Sequence, residues 1–267
     1  MHSLVLPDGR RLCWREQGQG MPLVMLHGWA MASAVFAPAL EALSGEFRVL
    51  APDLRGHGAS DPGRGYSFAD FAEDLSYWLD ALGLQRPHLL GWSMGGQIAL
   101  ELCRSRPARI DRLLLVSSTP RFAAADGWPH GLPPGQVRNM SRTLSRDHRA
   151  ALERFYQRLF VGETAAAEGA AQLFRQVDQN SGLPAAATAL AALETLANTD
   201  QRSLLGDIFR PTLITHGEED VIVPVTAGAF LAEAIAGARL LRLPGLSHAP
   251  FLSSPREVFQ LWREFLQ

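Results

Sequence analysis

Short apolar runs recur along the chain at 11–15, 22–26, 47–51, 113–116, 212–215 and 239–243, and another ends at Leu89 and Leu90. Each has the length of a strand. The run Leu113, Leu114, Leu115, Val116 has no polar face at all, as a strand buried on both sides requires. Between the runs, apolar positions fall at helical spacing over about 68–82, 95–105, 225–235 and 255–266. Strands alternating with helices predict an α/β fold, with a mostly parallel central sheet and helices on both faces.

That rhythm stops between 120 and 198. Pro129, Pro133 and Pro134 predict a loop at the start of this stretch. Leu152, Phe155, Tyr156, Leu159 and Phe160 then share one helical face, and the alanine-rich segments 164–178 and 185–197 also read as helices. The strand pattern resumes at 211. The expected organisation is a core of residues 1–119 and 199–267 with a helical cap inserted at 120–198. Such a cap would cover the carboxyl ends of the strands, where open α/β sheets bind their ligands.

Composition removes whole classes of function. The chain has 267 residues, and its 47% hydrophobic content is enough for a sizeable core. A net charge of −2 argues against a nucleic-acid binder. All 25 cationic side chains are arginine, so a phosphate loop or a Schiff-base enzyme, both of which need lysine, is excluded. Two distant cysteines, Cys13 and Cys103, make neither a disulfide framework nor a zinc motif, and the eight histidines are scattered. No metal or organic cofactor is implied. The start Met1-His2-Ser3-Leu4 lacks the basic segment of a signal peptide, and no uncharged apolar run reaches membrane-spanning length. The expectation is a cytoplasmic protein with no membrane partner.

The candidate chemistry lies just after the predicted strands. Gly91-Trp92-Ser93-Met94-Gly95 follows the run ending at Leu90 and opens the helix at 95–105. In that setting G-x-S-x-G is a nucleophile elbow, a tight turn that leaves the Ser93 hydroxyl exposed. His27-Gly28-Trp29 follows 22–26, and in this architecture the backbone N–H groups of Trp29 and Met94 would form the oxyanion hole. His27 reads as a brace for that loop. The segment from Asp53 to Ser60 reads as a scaffold turn, although Asp53, Arg55 and His57 are all chemically tempting. Gly217-Glu218-Glu219-Asp220 follows 212–215, and Asp220 is the expected acid ahead of its two neighbours. Gly245-Leu246-Ser247-His248 follows 239–243. The order serine, aspartate, histidine is that of a catalytic triad, with Ser93 as nucleophile, His248 as general base and Asp220 orienting the imidazole.

With these residues placed, the chain resembles the α/β-hydrolase superfamily over nearly its whole length. More narrowly, it is similar to the family of carboxylesterases that unmask the pimeloyl carboxylate, as a carrier-bound methyl ester, in biotin synthesis. The resemblance is carried by Leu26-His27-Gly28-Trp29, Leu90-Gly91-Trp92-Ser93-Met94-Gly95-Gly96, Val116-Ser117-Ser118, Asp126-Gly127-Trp128-Pro129, Glu153-Arg154-Phe155 and Ser247-His248-Ala249-Pro250-Phe251. It implies an α/β-hydrolase fold and a substrate channel lined at Trp29 and Phe155, with Trp92 and Leu159 expected beside them. It also implies cap arginines that hold an acidic acyl-carrier protein. Arg154 matches that pattern. Further along, where the family has more arginine, this chain has alanine within 164–171, and Arg142, Arg146, Arg149 and Arg158 are the candidate substitutes.

The residues alone add a local argument. Between 138 and 158 lie Arg138, Arg142, Arg146, Arg149, Arg154 and Arg158, against only Asp147 and Glu153. The patch is either a solvated helix face or a dock for an acidic partner. The expected function is hydrolysis of a carboxylic ester through an acyl-serine intermediate. The alternatives are a lactonase, a carbon–carbon bond hydrolase or a menaquinone-pathway lyase using the same triad, and a non-catalytic ligand receptor.

Overall fold

The computed structural model describes residues 1–164, 166–180 and 182–267. Eight strands form one sheet: β1 (His2–Val5), β2 (Arg11–Gln17), β3 (Met21–Leu26), β4 (Phe47–Pro52), β5 (His88–Trp92), β6 (Leu113–Val116), β7 (Thr212–Gly217) and β8 (Arg239–Leu243). Their order is β1-β2-β4-β3-β5-β6-β7-β8. The pairs β1·β2 and β2·β4 are antiparallel and every later pair is parallel. The mostly parallel sheet read from the apolar runs is therefore present. β1 is the strand that the pattern missed. It is an edge strand with three of its four residues exposed, so it carries no burial signal.

Helices α1 (Ala37–Leu43), α2 (Phe68–Ala81) and α3 (Met94–Ser105) cover the first half of the sheet. α2 starts at a capping box in which Ser67 Oγ accepts from Asp70 N and the Asp70 carboxylate accepts from Ser67 N. It buries Phe71, Leu75, Trp78 and Leu79 at helical spacing. Between β6 and β7 come α4 (Pro134–Arg146), α5 (His148–Arg158), α6 (Ala166–Asn180) and α7 (Ala186–Asn198). The last part adds α8 (Val225–Ala234), the short α9 (Pro250–Ser253) and α10 (Pro255–Leu266). No helix among the described residues is long and apolar enough to cross a membrane.

One local expectation needs correction. Pro133 and Pro134 predict a loop, yet Pro134 is the first residue of α4. Proline is well placed there, because its fixed φ suits a helix and its missing N–H would have no intrahelical acceptor in the first turn. α4 buries only Val137 and Leu144, too few apolar positions to announce a helix.

The parallel registers bring the carboxyl ends of the strands together. Leu26 at the end of β3 pairs with Gly91 in β5, Trp92 pairs with Val116, and Val116 with Thr215. Three non-glycine residues with positive φ sit just beyond these ends: Ala30 (56°), Ser93 (55°) and Ser117 (45°). Such backbone conformations cost roughly 1–3 kcal/mol each and cluster where function demands a fixed geometry.

Candidate active site

Ser93 stands between β5 and α3 with φ 55° and ψ −118°. Its N–H donates to Val116 O at 2.9 Å, and its carbonyl accepts from Gly96 N at 2.9 Å. The turn closes this tightly because Gly95 has no side chain: a Cβ there would run into the Leu26 carbonyl of the neighbouring strand. Between Pro87 and Cys103, Ser93 is the one residue that is not buried. A strained backbone thus presents a hydroxyl at the surface of an otherwise closed core.

The loop after β3 lies against it. A Cβ on Gly28 would sit 3.3 Å from Ser93 Cβ. His27 spans this loop and the next: its Nδ1 donates to Gly28 O at 2.9 Å and its Nε2 accepts from Leu54 N at 3.0 Å. Burial pushes His27 down to about 4, so it stays neutral and keeps both bonds. That is the bracing place expected for it. The backbone N–H of Met94, the first residue of α3, has no intrahelical acceptor and sits at the positive end of the helix. Trp29 N–H is the other donor expected at this position.

The turn after β4 is scaffold. Asp53 accepts from Ser33 N at 2.7 Å and from Ala59 N at 2.9 Å. Arg55 makes a two-pronged contact with Asp74 at 2.8 and 2.7 Å, and Arg10 grips the same carboxylate from the other side. His57 is held through Nδ1 by Arg55 O, and burial pushes it down to about 3, with the neighbouring His27 adding to the shift.

Asp220 and His248 come from the loops after β7 and β8. Asp220 Oδ2 accepts from His248 Nδ1 at 2.7 Å, and both side chains are essentially buried. Asp220 Oδ1 accepts from the N–H groups of Ile222 and Val223, each at 2.9 Å. Burial works to raise this carboxylate, but His248 and His216 outweigh it and hold Asp220 well below the usual range. Glu218 and Glu219 are exposed, which separates them from the role. His248, the expected base, also adjoins the turn at Ser93: Trp92 Nε1 donates to His248 O at 2.8 Å, and the two rings lie 5.7 Å apart. Ser93 Oγ and His248 are not hydrogen-bonded to each other. Nucleophile–base contacts of this kind are commonly long until substrate tightens them.

His216 is a participant that the motifs did not reveal. Its Nε2 donates to Val223 O at 2.8 Å and lies 3.3 Å from Asp220 Oδ2. It therefore steadies both the acid and the turn that follows it. Its only sequence signal is a histidine inside the apolar strand β7.

Trp29, in the loop after β3, and Phe155 on α5 meet edge to face at 4.7 Å. They line a cavity of 160 Å³ together with Met140, Leu144, Arg154 and Arg158. The structure thus brings together two of the four residues expected along the channel. Trp92 and Leu159 lie elsewhere. Trp92 is 1% exposed, packed on His248 and Phe251. Leu159 is fully buried and its carbonyl accepts from His248 N at 3.1 Å.

The expected carrier contacts divide in the same way. Arg149 pairs with Asp178 at 2.7 Å and lies over the Phe174 ring. Arg158 donates to Gln136 Oε1 and Val221 O, each at 3.1 Å, and is partly buried. Arg142 and Arg154 are exposed and take part in no ion pair among the described residues.

Residues 21–255 match the family described as alpha/beta hydrolase fold. The chain is 37% identical over 240 residues, 90% of its length and 93% of the relative's, to the pimeloyl-acyl-carrier-protein methyl ester esterase of Nitrosomonas europaea. It is 35% identical over 251 residues, 93% and 96% of the two chains, to the protein of that name from Aeromonas salmonicida. A solved esterase from Exiguobacterium antarcticum superposes with a TM-score of 0.91 at 27% identity, covering 98% of both chains.

Proposed function

The chain belongs to the alpha/beta hydrolase fold family, and on that footing we propose that it is a serine carboxylesterase acting on the methyl ester of a pimeloyl chain borne on an acyl-carrier protein, a step of biotin synthesis. The observation that carries the chemistry is the strained, accessible Ser93 beside a buried Asp220–His248 pair. The identity to esterases of that name over nine-tenths of the chain supports the particular ester.

His248 Nδ1 is committed to Asp220, which leaves Nε2 for Ser93. Ser93 Oγ attacks the ester carbonyl carbon while His248 takes its proton. The carbonyl oxygen becomes an oxyanion that the N–H groups of Trp29 and Met94 stabilise. The intermediate expels methoxide, which leaves as methanol with the proton from His248. Water then repeats the attack on the acyl-serine with His248 as base, releasing the free carboxylate and Ser93. Asp220 fixes the imidazole tautomer and stabilises the imidazolium in both halves.

In this reading residues 1–119 and 199–267 are the hydrolase core and 120–198 its cap. The cavity between Trp29 and Phe155 receives the acyl chain. Arg142 and Arg154 face the acidic carrier, with Arg149 and Arg158 holding the cap's own structure. The two cysteines, both buried and unpaired, suit a cytoplasmic setting.

The test is methanol release from the carrier-bound methyl ester by the purified protein, alongside a free short-chain ester. Turnover of both is expected, with the carrier-bound ester preferred in kcat/KM. A protein that cleaves the free ester and leaves the carrier-bound one untouched is a different esterase.

A further inference from the structure

The turn between α5 and α6 touches both loops that supply the acid and the base. Arg158 Nη2 donates to Val221 O, next to Asp220. Leu159 O accepts from His248 N at 3.1 Å. A Cβ on Gly162 would lie 3.6 Å from Glu219 Cβ. Glu163 then reaches the base loop with both carboxylate oxygens: Oε1 accepts from Ser247 N at 2.7 Å and Oε2 from Ser253 Oγ at 2.5 Å. Ser247 immediately precedes His248 and is fully buried. Its N–H looks to a side chain 84 positions away in sequence. Two adjacent backbone amides, of Ser247 and His248, are thus held by the cap segment and by nothing in the sheet.

We infer that the turn from Arg158 to Glu163 is a strut by which the helical segment α4–α7 sets the place of the imidazole, with Glu163 as a positioning residue for His248. The carboxylate bridges the start of the base loop and the end of α9, so the backbone on either side of His248 is fixed against one rigid group. A cap that lifts withdraws Glu163 and the Leu159 carbonyl together and leaves the base loop to its bonds with Trp92, Asp220 and Glu219. Closure over an acyl chain therefore also aims the base. The strut rests on the Ser93–His248 chemistry proposed above but not on the identity of the ester.

Glu163→Ala, Glu163→Asp and Glu163→Gln separate reach from charge. Glutamine keeps the length and still offers an oxygen to Ser247 N–H, whereas aspartate keeps the charge and falls a methylene short. On a free p-nitrophenyl ester, Glu163→Ala and Glu163→Asp are expected to lose about 10- to 100-fold in kcat with KM changed less than about 3-fold, as for a reacting group displaced by about 1 Å. The rate at which a fluorophosphonate modifies Ser93 should fall in parallel, and Glu163→Gln should restore most of both. Unchanged kcat in Glu163→Ala overturns the strut, as does a loss confined to KM. If Glu163→Ala does not fold, the other two decide: aspartate outperforming glutamine overturns it. A wild type inert to the carrier-bound ester but reactive with the fluorophosphonate overturns the substrate reading and leaves this comparison intact.

Discussion

Asp53 and Arg142 both carry ionisable side chains, yet their surroundings are opposites. Asp53 is fully buried, with two backbone N–H groups fixed on its oxygens. Arg142 is exposed on α4, one helical turn from Arg138 and one from Arg146 on the same stripe. The first belongs to a region where polar groups are locked in a low-dielectric interior, and there each hydrogen bond sets a distance. The second belongs to a surface where charge acts through water and is screened by salt. The sheet loops can therefore hold a fixed geometry, while α4 presents charge to the solvent without one.

The comparison is broken most severely by touching the reacting groups. Ser93→Ala should reduce ester turnover by several orders of magnitude, on the scale of about 10⁶ for a triad nucleophile, with thermal unfolding unchanged. Asp220→Asn should cost about 10⁴-fold through the wrong imidazole tautomer, while Glu219→Gln on the exposed side of the same loop stays near wild type. Equal losses from the two acid variants would remove Asp220 from its role.

Acid sharpens the account of the buried region. His27 and His57 are pushed down from 6.5 to about 4 and about 3, so they bind protons in the unfolded chain before they do in the folded one. Their neutral form contributes stability that is complete above pH 6.5 and is lost as the pH falls towards those lowered values. Each group steepens that loss by about 1 kcal/mol per pH unit. Denaturant unfolding from pH 7 to 4.5 should show a shallower decline in His57→Gln than in wild type. The same slope in both would place the acid sensitivity elsewhere.

The smallest effect is expected on the exposed side. Arg154→Glu should raise KM for the carrier-bound ester about 10-fold at low salt, with the gap shrinking as ionic strength rises past about 0.1 M, where the Debye length is about 10 Å. A free short-chain ester, which does not fill the cavity that Arg154 lines, should lose far less and without the salt dependence. Equal damage to both substrates would mean that Arg154 holds the cap together.

What could be read from sequence follows the same division. The parallel strands were legible because burial on both faces leaves unbroken apolar runs such as Leu113 to Val116. Exposed β1 and arginine-rich α4 left no such trace. Positions set by chain geometry, the residues just past β3, β5, β7 and β8, could be named in advance, because a strand end fixes where a loop begins. Partners across the sequence could not. Nothing in Thr215-His216-Gly217 says that the imidazole reaches Asp220, and nothing near Glu163 points to Ser247. Trp92 shows the limit from the other side: a tryptophan beside the expected nucleophile looks like a substrate wall, but its N–H is spent on the His248 carbonyl and its ring is buried.

The loop that follows β3 ends two of its hydrogen bonds in the helical segment between β6 and β7: Trp29 Nε1 donates to Ala189 O, and Ala30 O accepts from Tyr156 OH, each at 2.8 Å. Ala30 holds its positive φ under that second bond. The insert is consequently not an interchangeable lid. Chimaeras that graft the helices of a differently specific relative onto this sheet inherit a loop after β3 with two orphaned polar groups unless the graft brings its own acceptor for residue 29 and donor for residue 30. Recombination at these boundaries has to move four residues as one unit, two from each parent segment, before any question of substrate choice arises.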